Sequence, residues 1–289
     1  AAMGAAQCAP AKCAANCASC PPEGKDDNAD VVSSEFKGMV KVLCKTPHHA
    51  DKRPEYVFED GARYVGEWSG DMRHGHGVHV EADGSMYEGQ WVDDKAHGQG
   101  RLQHADGAAY EGEWRCNMKH GHGTYLHDDC SKYTGQWVDD CQSGEGTEEW
   151  ADGAKYVGQY VVGRKNGIGN YLWANGSHFA GQFYDNDIHG HGMYVWSDGC
   201  TFDGQWVKQQ MEGQGSFAYP DGRTYVGQYV ANLKHGSGLQ RWPDGQQYSG
   251  QWFKGEMHGL GKWTQDGDTV TGEWANGKRV EDEAEEALN

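Results

Sequence analysis

The stretch YVGEWSGDMRHGHGVHVEADGSM, residues 64–86, recurs with variations along most of this chain. Its leading motif is an aromatic, a spacer, Gly, Glu or Gln, and a second aromatic. The ten copies begin at Tyr64, Tyr87, Tyr110, Tyr133, Tyr156, Phe179, Phe202, Tyr225, Tyr248 and Val270. The first nine are spaced by 23 residues and the last step is 22. A fixed period of this size predicts small stacked units rather than one globular core.

A single repeat has the pattern of a β-hairpin. Tyr64, Gly66 and Trp68 alternate, so an extended chain points all three to one face. A second extended run, VHVEA, follows a short polar loop, and Asp83-Gly84 then favours a tight turn. The predicted fold class is therefore all-β: an open single-layer sheet of nine to ten hairpins, shaped as an elongated twisted ribbon or trough.

Glycines at fixed positions suggest how the aromatic rings pack. A Gly-x-Gly pair opens each second strand, as at Gly75 and Gly77. Glycine weakens a strand unless something covers it, and a ring from the neighbouring strand does so. We therefore expect the rings to lie over bare backbone, and Gly66 or Gly77 changed to Val to clash with a ring.

The combination YxGxW, HGxG and DG every 23 residues resembles the MORN (membrane occupation and recognition nexus) repeat family. The match covers residues 56 to 279. The resemblance implies hairpins stacked into an elongated ribbon. It also implies scaffolding or tethering roles at the cytoskeleton, the cell cortex, cilia or membrane junctions, and it extends to accessory regions of lipid kinases and of a histone methyltransferase.

Some positions depart from this pattern. Ser143, Asn166 and Glu212 occupy the slot that histidine holds in most repeats. Cys130 stands where the turn glycine belongs, giving DDC in place of DG. The fourth repeat is the least regular, and we predict that it forms a bend or a contact point.

Charge and composition exclude several classes of function. The formal charge of -18 disfavours binding to nucleic acid and to an anionic bilayer. Neither a membrane-spanning run nor a signal-peptide core is found, which predicts a cytoplasmic protein, associated with the cytoskeleton or a membrane in some of the alternatives below. The cysteines of the array lie at unmatched repeat positions and are expected to be free thiols, namely Cys116, Cys130, Cys141 and Cys200.

The sequence offers no chemistry of its own. No G-x-S-x-G, HExxH or phosphate-binding loop is found, so we predict no enzyme, no cofactor and no catalytic residue. Histidines at the same slot of successive repeats, such as His74 and His97, are expected ~9 to 10 Å apart, too far to share a metal ion. The Glu/Gln of each motif, beginning with Glu67 and Gln90, is expected on a polar solvent face.

Four segments are predicted. Residues 1–35 form a disordered Cys/Ala-rich tail, 36–55 a linker with a degenerate lead-in repeat, 56–279 the array, and 280–289 an acidic cap or tail. The tail has three interpretations: an inert segment, a lipid anchor, or a metal or redox cluster at its cysteines. Lipidation would use Gly4 and Cys8, if Met3 is the initiator.

The leading hypothesis is a non-catalytic scaffold that binds a protein partner. The alternatives are a membrane tether, anchored by N-terminal acylation or phospholipid binding, and a regulatory subunit of an enzyme on another chain. End-to-end pairing could also give a homodimer. The candidate partner site is an aromatic trough lined by Tyr64, Trp68, Tyr87, Trp91, Tyr110, Trp114, Tyr133, Trp137, Trp206, Tyr248 and Trp252.

Overall fold

The computed structural model describes residues 51–280. They divide into two compact units. The N-terminal unit contains residues 51–128 and 136–141, and the C-terminal unit contains residues 129–135 and 142–280. Gly4, Cys8 and the N-terminal cysteine cluster lie outside the described residues, as does the acidic segment after residue 280. The four predicted segment boundaries therefore stay predictions.

The N-terminal unit is an open antiparallel sheet. Its strands are β1 Asp51–Lys52, β2 Tyr56–Val57, β3 Arg63–Ser69, β4 Met72–Val80, β5 Met86–Val92, β6 Lys95–Gln103, β7 Ala109–Arg115 and β8 Met118–Leu126. From β3 to β8, each strand pairs with its neighbour in sequence. The short β1 and β2 both pair with β3.

The C-terminal unit continues the same pattern. Its strands are β10 Cys141–Glu149, β11 Lys155–Val161, β12 Arg164–Leu172, β13 His178–Tyr184, β14 Asp187–Val195, β15 Thr201–Val207, β16 Gln210–Ala218, β17 Thr224–Val230, β18 Leu233–Arg241, β19 Gln247–Phe253, β20 Glu256–Gln265, β21 Asp268–Ala275 and β22 Lys278–Arg279. Strand β9, Lys132–Val138, is divided between the two units, and Cys141, the first residue of β10, belongs to the N-terminal unit. Pairing is again antiparallel between sequence neighbours. The predicted all-β class and the stacked hairpins are confirmed.

Two kinds of turn connect the strands. Within a repeat, a two-residue turn has positive φ at both positions, as at Asp93 (48°) and Asp94 (65°). Such turns match the right-handed twist of the flanking strands. Between repeats, Gly84 has a φ of 92°, and Asp83 Oδ1 accepts a hydrogen bond from the Ser85 amide at 2.8 Å. The turn predicted at Asp83-Gly84 is therefore present.

In the nine repeats that begin at Tyr64 to Tyr248, the first ring of the motif lies over a pair of glycines. Gly66 and Gly77 are directly opposite each other in the β3–β4 pair. A Cβ atom on either one would overlap the Tyr64 ring. The Tyr64 hydroxyl donates a hydrogen bond to the Glu67 carbonyl at 3.0 Å, so the buried polar atom is satisfied. The expected packing of rings over Gly66 and Gly77 is confirmed.

The first glycine of each Gly-x-Gly pair leaves space for a Glu or Gln side chain and not, as expected, for an aromatic ring. Gly75 has a φ of 66°, and a Cβ there would overlap the Glu67 carboxylate instead of a ring. Glu67 Oε2 accepts the His76 amide at 3.3 Å, across an irregularity in the ladder at Glu67. The same bond recurs in other repeats, at Gln90, Glu113, Gln159, Gln182, Gln205, Gln228 and Gln251. The Glu/Gln positions therefore stabilise a bend in the second strand.

Successive repeats are joined by side-chain bonds to the backbone. The Trp91 indole N–H donates to the Gly77 carbonyl at 3.2 Å. In the turns, Asp94 Oδ1 accepts the Arg73 amide of the preceding repeat at 2.8 Å. Asn or Asp makes an equivalent bond at Asn117, Asp140, Asn186 and Asn232. We call these bonds turn clips.

The cysteines differ in state. Cys130, Cys141 and Cys200 form no disulfide bond, as expected. Cys116 is disulfide-bonded, so the expectation of a free thiol there is wrong. The repeat pattern could not predict this disulfide bond. It relates only equivalent positions of different repeats, and the cysteines stand at positions that do not match. Cys130 has a φ of 67°, the conformation that glycine adopts at the other turns of this kind.

Candidate partner-binding surface

The eleven aromatic residues predicted to line a trough are buried. Tyr64, Trp68, Tyr87, Trp91, Tyr110, Trp114, Tyr133, Trp137, Trp206, Tyr248 and Trp252 are each 6% exposed or less. Neighbouring rings meet edge to face, as Tyr87 does with Trp91 at 4.9 Å and with Trp114 at 5.2 Å. This geometry suits the charge distribution of aromatic rings. Together they form the hydrophobic core of the repeats.

Burial limits what these rings can offer to a partner. A ring that is covered by its neighbours has little surface left for another protein. Their role in partner binding stays a prediction, and the accessible surface of the same sheet face belongs to other residues.

A second row of rings covers part of this face in the C-terminal unit and is in most positions partly exposed. Its seven members are Trp150, Tyr171, Trp173, Tyr194, Trp196, Phe217 and Tyr219, and we call them the aromatic ladder. Six of them are partly exposed, whereas Tyr171 is buried. Successive ring centroids are 5.3, 4.4, 5.0, 4.5, 5.3 and 4.5 Å apart.

Strand alternation places the ladder on the core face. Tyr171 follows Gly169 by two residues in β12 and lies opposite Phe179 of β13. Tyr194 likewise lies opposite Phe179 on the other side, with ring centroids 6.4 Å apart. Residues two apart in a strand share a face, so the ladder packs beside the core rings.

The signal for the ladder was present in the sequence. Three repeats carry Gly, a spacer, an aromatic, a spacer and a second aromatic: GNYLW, GMYVW and GSFAY, starting at residues 169, 192 and 215. The YxGxW motif does not include these positions. In the N-terminal unit the corresponding pairs are His79 with Glu81, Leu102 with His104, and Tyr125 with His127. The long uninterrupted ladder is thus a feature of the C-terminal unit.

Two lysines mark the ends of the ladder. Lys165 Nζ is 2.7 Å from Glu148 and lies 4.8 Å from the Trp150 ring centroid. A cation over an aromatic face is attracted by the ring quadrupole. This lysine is neutralised by its carboxylate partner.

Lys234 at the other end has a different environment. Its Nζ is 5.7 Å from the Tyr219 ring centroid and 4.9 Å from that of Trp252, and it donates to Gln240 Oε1 at 2.6 Å. Burial, with a smaller contribution from the charge of Arg223, lowers the pKa of Lys234 to about 8. Among residues 51–280 no carboxylate forms an ion pair with Lys234.

Two of the recurring histidines lie near turn aspartates. His74 Nδ1 is 3.6 Å from Asp93, and His120 Nδ1 is 3.5 Å from Asp139. No group of three or more His, Cys, Asp or Glu side chains within residues 51–280 could hold a metal ion. In the same range, no helix is long and apolar enough to cross a membrane.

Comparison with known proteins identifies the repeat. The family model described as MORN repeat matches nine segments: residues 64–86, 87–109, 110–129, 133–155, 156–178, 179–201, 202–222, 225–247 and 248–269. No curated protein matches the chain.

Solved structures give only a distant likeness. One is the SAS-4 (dCPAP) TCP domain of Drosophila melanogaster in complex with a proline-rich motif of Ana2 (dSTIL), which is 13% identical. The match covers 75% of this chain and 96% of that one, with a TM-score of 0.29. The G-box domain of the microcephaly protein CPAP is 12% identical over 77% and 99% of the two chains, with a TM-score of 0.31. Scores this low support no statement about what this chain binds.

Proposed function

Because this chain belongs to the MORN-repeat family, we propose that it is a non-catalytic scaffold that binds another protein through the aromatic ladder of its C-terminal unit. The nine matched segments confirm the family that the sequence resembles. The partly exposed rings of the ladder, and not the buried core rings beside them, would make the main contact with the partner.

The partly exposed aromatic ladder is the observation that carries the proposal. Aromatic side chains provide much contact area at a small cost in conformational entropy, and they dominate the energetics of many interfaces. The core rings already cover the strand glycines, so the sheet does not need the ladder for that purpose. Contiguous exposed aromatic surface commonly marks a partner site.

Affinity capture from native lysate with paired variants tests this function. The double variant Trp173→Ala, Trp196→Ala removes two ladder rings that are partly exposed. The control, Ile168→Ala, Val226→Ala, removes apolar side chains that are 56% and 46% exposed on the opposite face of the sheet. We expect specific protein partners to be lost with the ladder variant and kept with the control.

Two results would contradict the proposal. Partners retained equally by both variants would place the contact elsewhere, and the absence of any specific partner of the wild-type chain would argue against a scaffold. Circular dichroism of both variants must show the wild-type β spectrum, so that loss of binding is not loss of fold.

The membrane-tether alternative depends on Gly4 and Cys8, outside the described residues. It stays a prediction, which vesicle flotation of the wild type and of a Gly4→Ala, Cys8→Ser variant would test. Flotation lost only in the variant would support anchoring.

A further inference from the structure

We propose that the aromatic ladder binds a proline-rich segment in the polyproline II conformation, with an acidic residue next to the end of the segment that reaches Lys234. This inference rests on the proposed function and names the class of partner that the same surface takes. Three properties of the ladder support it: its period, its chemistry and the charge at its ends.

The period of the ladder matches a polyproline II helix. Tyr171 and Tyr194 are equivalent in successive repeats, and Trp173 links them through contacts of 4.4 and 5.0 Å. The spacing per repeat is therefore at most about 9–10 Å, as expected for two strands per repeat. A polyproline II helix advances about 9.3 Å in one turn of three residues. Every third residue would thus meet an equivalent pair of rings.

Other regular conformations fit this period less well. Three residues of a β-strand span about 10 Å, but strand side chains alternate, so every third residue points to the opposite side. Two turns of an α-helix advance about 10.8 Å, which drifts from the ladder by more than 1 Å at each repeat. Only the polyproline II helix matches the spacing of the repeats and also keeps every third residue on the side that faces the ladder.

The chemistry of the rings suits proline. Rows of aromatic side chains line the surfaces that recognise proline-rich segments, and such segments lose little conformational entropy on binding. A polyproline II helix has no internal hydrogen bonds, so its carbonyl groups accept bonds from outside. Tyrosine hydroxyls and tryptophan N–H groups are suitable donors, and the ladder is built mainly from these two residue types.

The charges along the ladder favour a neutral segment with one acidic end. At the first end, Lys165 is paired with Glu148 at 2.7 Å. Near the other end, Arg223 is paired with Asp221 at 2.7 Å. Lys234 lies beside Tyr219 and has no carboxylate partner among the described residues. A carboxylate of the bound segment would supply that partner in a partly desolvated place, where an ion pair is stronger than in water.

Titration of the full-length chain with synthetic peptides tests the inference. The first peptide has about twelve residues with proline at every third position, which spans about 37 Å as polyproline II. A second peptide has the same composition with the prolines shuffled out of that period. A third and a fourth carry glutamate at one end or the other. Tryptophan fluorescence and calorimetry report binding to the wild type, to Trp173→Ala, Trp196→Ala and to Ile168→Ala, Val226→Ala.

We expect the periodic peptide to bind the wild type and the opposite-face control equally, and the ladder variant about tenfold or more weakly. One of the two glutamate peptides should bind more tightly than the neutral one, and Lys234→Met should remove that difference. Hydrogen exchange of the wild-type complex should show protection in β12, β14 and β16, which does not depend on the folding of any variant.

The inference would be wrong if the shuffled peptide bound as well as the periodic one, or if protection appeared on other strands. Partner capture that depends on the ladder, together with no binding of any proline peptide, would sink the inference and leave the proposed function standing. Self-association of the chain that the ladder variant abolishes would show a second copy of the protein as the occupant instead.

Discussion

The ring and the two glycines beneath it are the smallest unit from which this fold is built. Phe179 lies over Gly181 and Gly192 in the same way that Tyr64 lies over Gly66 and Gly77. The ring supplies buried apolar area, and each glycine leaves the space that the ring fills. Neither residue type would stabilise the strand without the other.

Gly192→Ala should therefore be strongly destabilising. The added Cβ would lie 2.6 Å from Phe179 Cε2, and because the core is well packed the ring has no space to move into. We expect a loss of about 1–3 kcal/mol of unfolding free energy, measured by urea denaturation. Gly176→Ala is the control, since Gly176 has a φ of 86° and open space around it, and should cost only about 1 kcal/mol. Equal losses at the two positions would contradict the packing argument.

Cys130→Gly should have the opposite effect. Cys130 adopts a φ of 67° at the position where Gly84 and its equivalents stand, which is strained for a residue with a Cβ. Glycine should raise the free energy of unfolding by about 1 kcal/mol, as seen in a higher urea midpoint. Cys130→Ala retains the strain and serves as the control. If alanine stabilised the chain as much as glycine, the thiol and not the backbone would be the cause.

The lysine at the end of the ladder should make stability depend on pH. The pKa of Lys234 falls from the ordinary value of 10.5 to about 8 in the folded chain. Between these values the unfolded state binds more protons, so the free energy of unfolding should rise with pH. Lys234→Met introduces the residue type that stands at the equivalent position of two other repeats, at Met211 and Met257. The variant should be more stable than wild type at pH 7, with the difference shrinking towards pH 9.5.

Urea denaturation of both proteins from pH 7 to 9.5 measures this difference. The range stops there because burial also raises the pKa of tyrosines such as Tyr225, whose ionisation would lower stability at higher pH. If the difference in the free energy of unfolding between variant and wild type stays constant over this pH range, Lys234 is not the cause of the pH dependence.

At the level of elements, the turn decides how one hairpin is joined to the next. Asn186 and Asn232 occupy the second turn position and hold the amides of Lys165 and Met211. Asn and Asp also tolerate the positive φ of this position better than most residues. The turn therefore contributes both to the shape of one hairpin and to its attachment to the preceding one.

Gln209 lacks the side chain that makes a turn clip. Gln209 has a positive φ of 66°, and its backbone N–H donates a hydrogen bond to the Ile188 carbonyl at 2.9 Å. Its side chain, however, does not accept a turn-clip bond from the Ile188 backbone N–H. Gln209→Asn should add that bond and raise the melting temperature, with a gain of about 0.5–1.5 kcal/mol. Gln209→Ala is the control. A crystal structure or an amide exchange rate at Ile188 would show whether the bond forms.

Sequence patterns predicted the hairpins well because each signal is local. Alternation of Tyr64, Gly66 and Trp68, and the Asp83-Gly84 turn, are both contained within a few residues. The purpose of Gly75 could not be found in this way, because it depends on where the Glu67 side chain lies across the hairpin. The partner surface was predicted at the rings that recur most regularly. Regularity marks what every repeat needs for packing, so it indicates the buried core rings and not the less regular, partly exposed Trp173 and Trp196.

For the whole chain, the repeat architecture means that each repeat is stabilised mainly by the repeats next to it in sequence. In the pairings described for each unit, from β3 to β8 and from β10 to β22 a strand contacts the strands before and after it in sequence. Stability in such arrays is approximately a sum of repeat and nearest-neighbour contributions. A local defect should therefore weaken its surroundings more than distant repeats.

Hydrogen exchange of Gly192→Ala would measure this locality. We expect faster exchange in β13 to β16 and wild-type protection in β3 to β6. The same measurement on Gly176→Ala gives the background for a milder change in the same unit. Uniform loss of protection over all strands would show that the chain unfolds as one cooperative body instead.

The turn clips and indole bonds have a consequence for how the protein is made. They join residues 14 to 21 positions apart, so the partners of each repeat are present as soon as the next repeat has been synthesised. Short sequence separation favours rapid folding, since little chain entropy is lost before contacts form. We expect this chain to acquire structure progressively as it leaves the ribosome, each new hairpin using the previous one as its template.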